Sequence, residues 1–162
     1  MPQVVDAVRV PVVAAGGIAD GRGLVAALVL GAQGVQIGTR FVVTREGTAA
    51  DFRKKAVLEA EGEDTVLTDV VSGLWSRYIR NAYIEEYEKT GAPVLPVHAQ
   101  SRFAQDIFDE ANRREDASWL PLATGQSTGL VHDLPGAAEV VERIAREAEA
   151  VLVRLRAMGG AR

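Results

Sequence analysis

Two apolar runs near the start of the chain flank a short stretch of helical periodicity. Residues 10–15 (VPVVAA) are almost uniformly apolar, which is typical of a parallel β-strand covered on both faces. The glycine pair Gly16-Gly17 follows, because a strand-to-helix turn needs positive φ or a close backbone approach. A second run over residues 35–37 begins another strand, which ends at Gly38 and Thr39.

The segment between the two runs predicts a helix over residues 21–30. Asp20 is a suitable N-cap for it, and Gly31 is a suitable C′ residue. A strand, a helix and a strand of this length form a right-handed parallel crossover. Upstream, residues 2–8 are interpreted as the last turns of another helix. The first 45 or so residues are therefore α/β in pattern.

The rest of the chain is mostly helical in pattern. The predicted elements are a helix over residues 48–60, a short strand or extended segment over 65–71, helical spacing of Tyr83, Ile84 and Tyr87 within 75–87, a helix over 97–114 with Phe103, Ile107, Phe108 and Ala111 on one side, and a loop or the start of a helix over 120–130. A long final helix starts at Asp133 or Leu134, with Pro135 near its first turn, and stops at Gly159-Gly160. Its apolar stripe is typical of a core-facing or partner-facing helix. The stripe comprises Ala137, Val141, Ile144, Ala148, Val151, Leu155 and Met158.

The composition narrows the classes of function. The 162 residues carry a formal charge of −4 and no basic tract, so the electrostatic surface of a nucleic-acid binder is absent. The absence of cysteine excludes disulfides, thiolate metal sites and a cysteine nucleophile. The N-terminus lacks the pattern of a signal peptide, and no apolar run reaches the roughly 20 residues of a membrane span. We therefore expect a cytoplasmic protein without nucleic-acid or membrane partners.

The glycine-bearing ends of the two strands together predict a phosphate site. A phosphate ester needs several donors at short range, and the backbone N–H groups of Gly16, Gly17, Gly38 and Thr39 can supply them, helped by the helix that follows each turn. Arg40 adds charge if its side chain points towards the ligand. The alternative is that these glycines only permit tight turns. Two such ends in one β-α-β unit favour the phosphate site.

The same residues carry a family resemblance. The segments VPVVAAGGIAD (residues 10–20), AALVLGA (26–32) and GVQIGTRF (34–41) resemble FMN-binding (β/α)8 barrels. The first two of these segments are also similar to inosine-monophosphate dehydrogenase and its relatives. Further motifs downstream resemble the nitronate monooxygenase family, formerly 2-nitropropane dioxygenase, whose relatives include flavin-dependent enoyl-acyl-carrier-protein reductases. These motifs are Ser72-Gly73, Arg77, Arg80-Asn81, the run GQSTGLVHD (125–133), Pro135 and residues 137–139.

The resemblance implies a fold and a cofactor. The chain is expected to be the C-terminal part of an FMN-binding (β/α)8 TIM barrel, holding its last two strands, with an appended helical region. Residues 1–47 then carry the strands and the FMN-phosphate cradle, residues 48–132 form a helical region on the substrate side, and residues 133–162 close on the barrel. The implied FMN-phosphate residues are Gly16, Gly17, Gln36, Ile37, Gly38 and Thr39. Gln126 and Ser127 match a family segment near the flavin, and the alternative for Gln126 is a loop amide bonded to backbone.

The implied reaction is the oxidation of alkyl nitronates by molecular oxygen. Two alternatives stay open, namely NAD(P)H-dependent enoyl reduction and a non-catalytic module that binds FMN or another phosphate ligand. The family's catalytic histidine lies in an upstream Gly-Gly-His segment that this chain lacks, and His98 and His132 are assigned structural roles. No catalytic residue and no metal ligand is therefore assigned. The chain is expected to be incomplete for catalysis.

A complete barrel takes about 250 residues, so 162 residues with a helical appendage cannot form one. Two barrel strands alone leave the edge of the first strand unpaired, which promotes association. We therefore expect an upstream partner segment, a domain swap or self-association.

Overall fold

The computed structural model describes residues 1–159 of the chain. Its helices are α1 (Pro2–Ala7), α2 (Gly21–Val29), α3 (Thr39–Val42), α4 (Asp51–Glu59), α5 (Ala82–Thr90), α6 (Ala99–Phe103), α7 (Gln105–Arg113) and α8 (Ala137–Gly159), and its strands are β1 (Val13–Ala15), β2 (Gly34–Gln36), β3 (Thr65–Thr68) and β4 (Ser76–Ile79). Short 3-10 helices span Gly62–Asp64, Ala117–Trp119 and Gln126–Leu130. The chain forms two compact units. The first unit is Met1–Thr48 with the chain from Leu130 onward, and the second unit is Ala49–Gly129.

In the first unit, β1 and β2 pair in parallel, as predicted. Helix α2 lies between them in the sequence. The Asp20 carboxylate accepts a hydrogen bond of 3.0 Å from the Gly23 N–H, which confirms the predicted N-cap of α2. After α2 the chain turns through Gly31 with a φ of +94°, the conformation that favours glycine at C′. The α-helical character of residues 2–7 is confirmed as well.

The prediction of a first strand covered on both faces is wrong for this structure. The strand is three residues long, and the Val13 side chain is 56% exposed. Pro11 has no N–H to donate, and the Val12 N–H donates to the Gln33 side-chain oxygen at 2.7 Å instead of to the ladder. Within residues 1–159 β1 pairs with β2 alone, so its other edge is open.

The first unit is held together by the packing of α2 against α8. Helix α8 begins at Ala137, later than Asp133 or Leu134, because its first intrahelical bond runs from the Val140 N–H to the Gly136 carbonyl. Of the predicted stripe, Ile144 and Ala148 are buried. Val140 joins them, whereas the stripe residues Val141, Leu155 and Met158 are exposed. The predicted stop at Gly159-Gly160 lies partly outside the described residues.

The second unit contains the antiparallel pair β3 and β4, in which Thr65 lies opposite Ile79. Within residues 75–87, the helical spacing of Tyr83, Ile84 and Tyr87 is confirmed by α5, whereas the first half of this segment forms β4. Pairing with β3, and a bond from the Ile79 N–H to the Leu122 carbonyl, override the local pattern. Helix α5 follows, capped by the Asn81 side chain, which accepts from the Ile84 N–H at 3.2 Å.

The predicted helix over residues 97–114 is two helices, α6 and α7, which meet at Ala104. Ala104 is fully buried, whereas Phe103 and Ile107 are exposed, so the predicted apolar side is only partly correct. Phe108 packs edge-on against Tyr83, with ring centroids 4.9 Å apart. The core of this unit comprises Val70, Val71, Tyr78, Tyr83, Ile84, Ala104, Phe108, Ala111 and Leu120. Among the helices of residues 1–159, none has the length and apolarity of a membrane span.

Candidate functional site

The parallel pairing brings the two glycine-bearing turns side by side. Ala15, the last residue of β1, lies opposite Gln36, the last residue of β2. Neighbouring strands lie about 4.8 Å apart, and the carboxyl ends of parallel strands share one edge. Gly16-Gly17 and Ile37-Gly38 therefore leave this edge next to each other, and we name them, with Gln36 and Thr39, the cradle.

The space over the cradle glycines is free of protein atoms. A Cβ built on Gly16, Gly17 or Gly38 meets no heavy atom within 4 Å. By contrast, a Cβ on Gly21 or Gly31 would overlap other parts of the protein. Close packing therefore explains why Gly21 and Gly31 are glycines. At Gly16, Gly17 and Gly38, by contrast, an external group can approach the backbone.

The backbone at the cradle also offers hydrogen-bond donors. The N–H groups of Gly17 and Gly38 donate to no protein acceptor within residues 1–159. Gly16 and Gly17 have φ angles of +91° and +73°, which direct the chain sharply around the end of β1. Gln36 and Gly38 are exposed, and Ile37 and Thr39 are half-buried. Neutral N–H donors beside open space suit a phosphate ester, so these residues fit the phosphate end of FMN.

The expected help from the helix after the first turn is absent. The Asp20 carboxylate accepts from the Gly23 N–H, and the Glu147 carboxylate accepts from the Gly21 N–H at 2.9 Å. Protein carboxylates thus already occupy the positive end of α2. Burial acts to raise the pKa of Asp20, but hydrogen bonds from Arg22 and Gly23 outweigh it, and the pKa lies below its usual value. Helix α3, after the second turn, is a single turn of four residues.

Arg40 does not direct its charge towards the cradle, so that conditional expectation is not met. Its side chain is only 4% exposed. One terminal nitrogen donates to the Asp133 carboxylate at 2.7 Å, and the other donates to the Asp133 carbonyl at 2.7 Å and the Val43 carbonyl at 2.5 Å. The guanidinium is therefore committed to protein acceptors.

Asp133 is shared by two arginines. Its second carboxylate oxygen accepts from Arg143 on α8 at 2.7 Å. Partial burial acts to raise the pKa of Asp133, but the hydrogen bonds from Arg143 and Arg40 outweigh it and lower the pKa below its usual value. Arg40, Asp133 and Arg143 also line a cavity of about 310 Å³, together with His132 and Glu147. The sequence motifs contained Asp133, but Arg143 and Glu147 were missed; their spacing of four on one helix was the available signal.

The remaining predicted site residues, Gln126 and Ser127, belong to the second unit. Gln126 is exposed and Ser127 is buried, both in the 3-10 helix Gln126–Leu130. This short helix is anchored by the Thr128 hydroxyl, which donates to the Val57 carbonyl at 2.8 Å. His98 is exposed at the start of α6, while His132, in the first unit, is exposed before α8. Among residues 1–159, no group of three or more histidine or acidic side chains could hold a metal ion.

The first unit is thus an α/β structure in which the cradle lies at the carboxyl edge of a parallel strand pair. The chain belongs to the nitronate monooxygenase family, whose model matches residues 1–147. A probable nitronate monooxygenase of Staphylococcus saprophyticus is 38% identical over 154 residues, which are 95% of this chain and 43% of the relative. A probable nitronate monooxygenase of Staphylococcus haemolyticus is 42% identical over 130 residues, covering 80% of this chain and 36% of the relative.

Solved structures agree with this assignment. The nitroalkane oxidase of Streptomyces ansochromogenes matches with a TM-score of 0.85 and 31% identity, over 95% of this chain and 44% of that one. FabK of Thermotoga maritima matches with a TM-score of 0.79 and 31% identity, over 97% of this chain and 50% of that one. The chain thus spans half or less of the length of these relatives and structures. The expected family is confirmed.

Proposed function

We propose that this chain holds the phosphate end of FMN in a flavoenzyme that oxidises alkyl nitronates with molecular oxygen. The observation that carries the proposal is the environment of Gly38. Its φ of −98° is open to any residue, and a Cβ there would meet no protein atom within 4 Å. Nothing in the protein therefore requires glycine at this position, whereas a ligand lying close against the backbone does.

The cradle residues divide the work of binding. The N–H groups of Gly17 and Gly38 donate to the phosphate, and Thr39 adds its hydroxyl. Gln36 ends β2 beside β1, and Ile37 leads from the strand into this turn. Because the α2 N-terminus is occupied by carboxylates, the binding energy comes from these hydrogen bonds. When bound, FMN supplies the redox chemistry, and the protein supplies placement and electrostatics.

The wider architecture is proposed from the same strands. β1 and β2 act as the last two strands of a (β/α)8 barrel, within residues 1–47. By the family resemblance, Gln126 and Ser127 are the residues of the 48–132 region proposed to lie near the flavin. Helix α8 packs against α2 in the unit that holds the strands. The open edge of β1 is then covered by a further barrel segment or by a second copy of the chain. The substrate is a small nitronate.

Two other functions have specific support. The similarity to FabK, an enoyl-acyl-carrier-protein reductase, favours NAD(P)H-dependent enoyl reduction as the second candidate. A non-catalytic binding module is the third candidate, because the cradle offers donors for a phosphate group and neither His98 nor His132 is a cradle residue. All three functions use the same cradle.

A flavin titration followed by an activity assay tests the proposal. We expect the purified chain to bind FMN more tightly than riboflavin, which lacks the phosphate, as followed by quenching of flavin fluorescence. The FMN-loaded chain is then assayed for oxygen uptake with an alkyl nitronate, and for enoyl-thioester reduction with NADPH. Binding without either turnover supports the module, whereas equal affinity for FMN and riboflavin contradicts the cradle itself.

A further inference from the structure

We infer that Arg40 is a positioning residue for the flavin phosphate, which it aligns by clamping the cradle turn to the segment before α8 without contacting the ligand. This inference rests on the proposed function. Arg40 follows Gly38 and Thr39 directly, so any movement of its backbone moves the second turn of the cradle. Its side chain reaches Asp133, which lies 93 positions along the chain.

The clamp is part of a longer seam within the first unit. The Arg45 N–H donates to the Pro135 carbonyl at 2.9 Å, and the Ala137 N–H donates to the Glu46 carboxylate at 2.7 Å. Arg40 is the member of this seam nearest the cradle. The Gly38 carbonyl also accepts the N–H groups of Phe41 and Val42, which ties Gly38 into the turn that carries Arg40. A displacement at Arg40 is therefore passed to Gly38.

The arginine acts through geometry, because its charge is already neutralised. The Asp133 carboxylate accepts from Arg40 and from Arg143, and the Asp133 and Val43 carbonyls accept from the second terminal nitrogen of Arg40. The buried Nε of Arg40 has no hydrogen-bond partner within the described residues. The hydrogen bonds of the terminal nitrogens thus fix the position of the side chain, although they leave Nε without a partner. A lysine carries the same charge but cannot form this planar fork to three oxygens.

The substitution Arg40→Lys separates positioning from charge. We expect the Kd for FMN to rise about tenfold, the effect of one misplaced charge-assisted hydrogen bond, while the Kd for riboflavin stays within about twofold of wild type. Asp133→Asn should likewise raise the ratio of the Kd for FMN to the Kd for riboflavin, which we call the FMN-to-riboflavin ratio. Arg146→Lys is the matched control, because Arg146 forms an exposed pair with Glu142 in the same unit. The FMN-to-riboflavin ratio of Arg146→Lys should equal that of wild type.

Hydrogen exchange supplies the readout that does not need the flavin. In Arg40→Lys, the peptide covering residues 36–42 should exchange faster, while peptides of the second unit keep their wild-type rates. An unchanged FMN-to-riboflavin ratio in both Arg40→Lys and Asp133→Asn overturns the inference while the proposed function stands. A wild-type chain without preference for FMN overturns the proposed function and the inference together. If Arg40→Lys does not fold, the FMN-to-riboflavin ratio of Asp133→Asn alone tests the inference, and an unchanged ratio overturns it.

Discussion

The backbone of Gly21, at the start of α2, lies directly against the backbone of Ala148 in the middle of α8. A Cβ on Gly21 would come within 2.3 Å of the Ala148 nitrogen, closer than any real contact. The Gly21 N–H also donates to the Glu147 carboxylate one residue earlier on α8. This approach fixes the crossing point of the two helices that hold the first unit together.

The substitution Gly21→Ala should therefore destabilise the chain, although alanine favours helices. We expect a loss of about 2 kcal/mol or more, because the overlap is with backbone that cannot move aside. Gly23→Ala is the control in the same helix, since its nearest neighbour is the Ile18 side chain at 3.1 Å. Urea unfolding measures both. Equal stabilities of the two variants would contradict the close crossing.

Comparing Gly17→Ala with Gly91→Ala should distinguish the effect of backbone strain from the effect of lost contact with the ligand. Gly17 has a φ of +73°, Gly91 has a φ of +63°, and a Cβ at either meets no protein atom within 4 Å. Each alanine should therefore cost about 1 kcal/mol of folding stability through backbone strain. Only Gly17→Ala should also weaken FMN binding, because Gly91, which caps the C-terminal end of α5, is not a cradle residue. Equal FMN affinity in the two variants would remove Gly17 from the cradle.

The pair of Asp133 with Arg40 should make stability depend on pH in acid. The folded chain holds the pKa of Asp133 below its ordinary value of 3.8, so the unfolded chain takes up the proton first as pH falls. The pair therefore contributes fully above pH 3.8 and its contribution is lost as pH falls through the folded-state pKa.

Asp133→Asn isolates this contribution. At neutral pH it should cost about 1 kcal/mol, because it removes the charge of a half-exposed carboxylate while the backbone carbonyls of residues 43 and 133 still accept from Arg40. The difference in Tm between wild type and variant should shrink as the solution is acidified. Glu110, whose pKa is lowered to about 2 by Arg113 and Arg114, titrates in both proteins and cancels in the difference. A difference that stays constant down to pH 2 would contradict this assignment.

The open edge of β1 should make the isolated chain self-associate. Val13 is exposed on an edge without a partner strand within residues 1–159. Light scattering should give a mass above that of the monomer for wild type, and Val13→Lys should shift it towards the monomer. Val153→Lys, an equally exposed valine on α8, tests whether association uses the helix instead. A compact wild-type monomer would argue against an uncovered barrel edge.

Local signals in the sequence were sufficient for the β-α-β unit. Asp20 and Gly31 mark the ends of α2 through interactions within a few residues of the chain. The alternation between apolar runs and glycine gave the parallel pair and the position of the cradle turns. These features depend on near neighbours, so a single sequence contains them.

Features that depend on distant contacts were not predictable. β4 forms because β3 and Leu122 supply its partners. Arg40 turns away from the cradle because Asp133, 93 positions later, neutralises it. Gln100, which no pattern singled out, is fully buried because its amide donates to Val70 and accepts from Leu95. Each of these requires knowledge of which remote residues meet.

The most direct test of the cradle is the phosphorus NMR spectrum of FMN mixed with the chain, because it reports on the phosphate itself. The account predicts a shifted, broadened resonance with the wild-type chain that returns to the position of free FMN with Gly38→Ala. The fold of this variant should be intact, since a Cβ at Gly38 meets no protein atom. A wild-type spectrum identical to that of free FMN, at a chain concentration in excess of the flavin, would contradict the account.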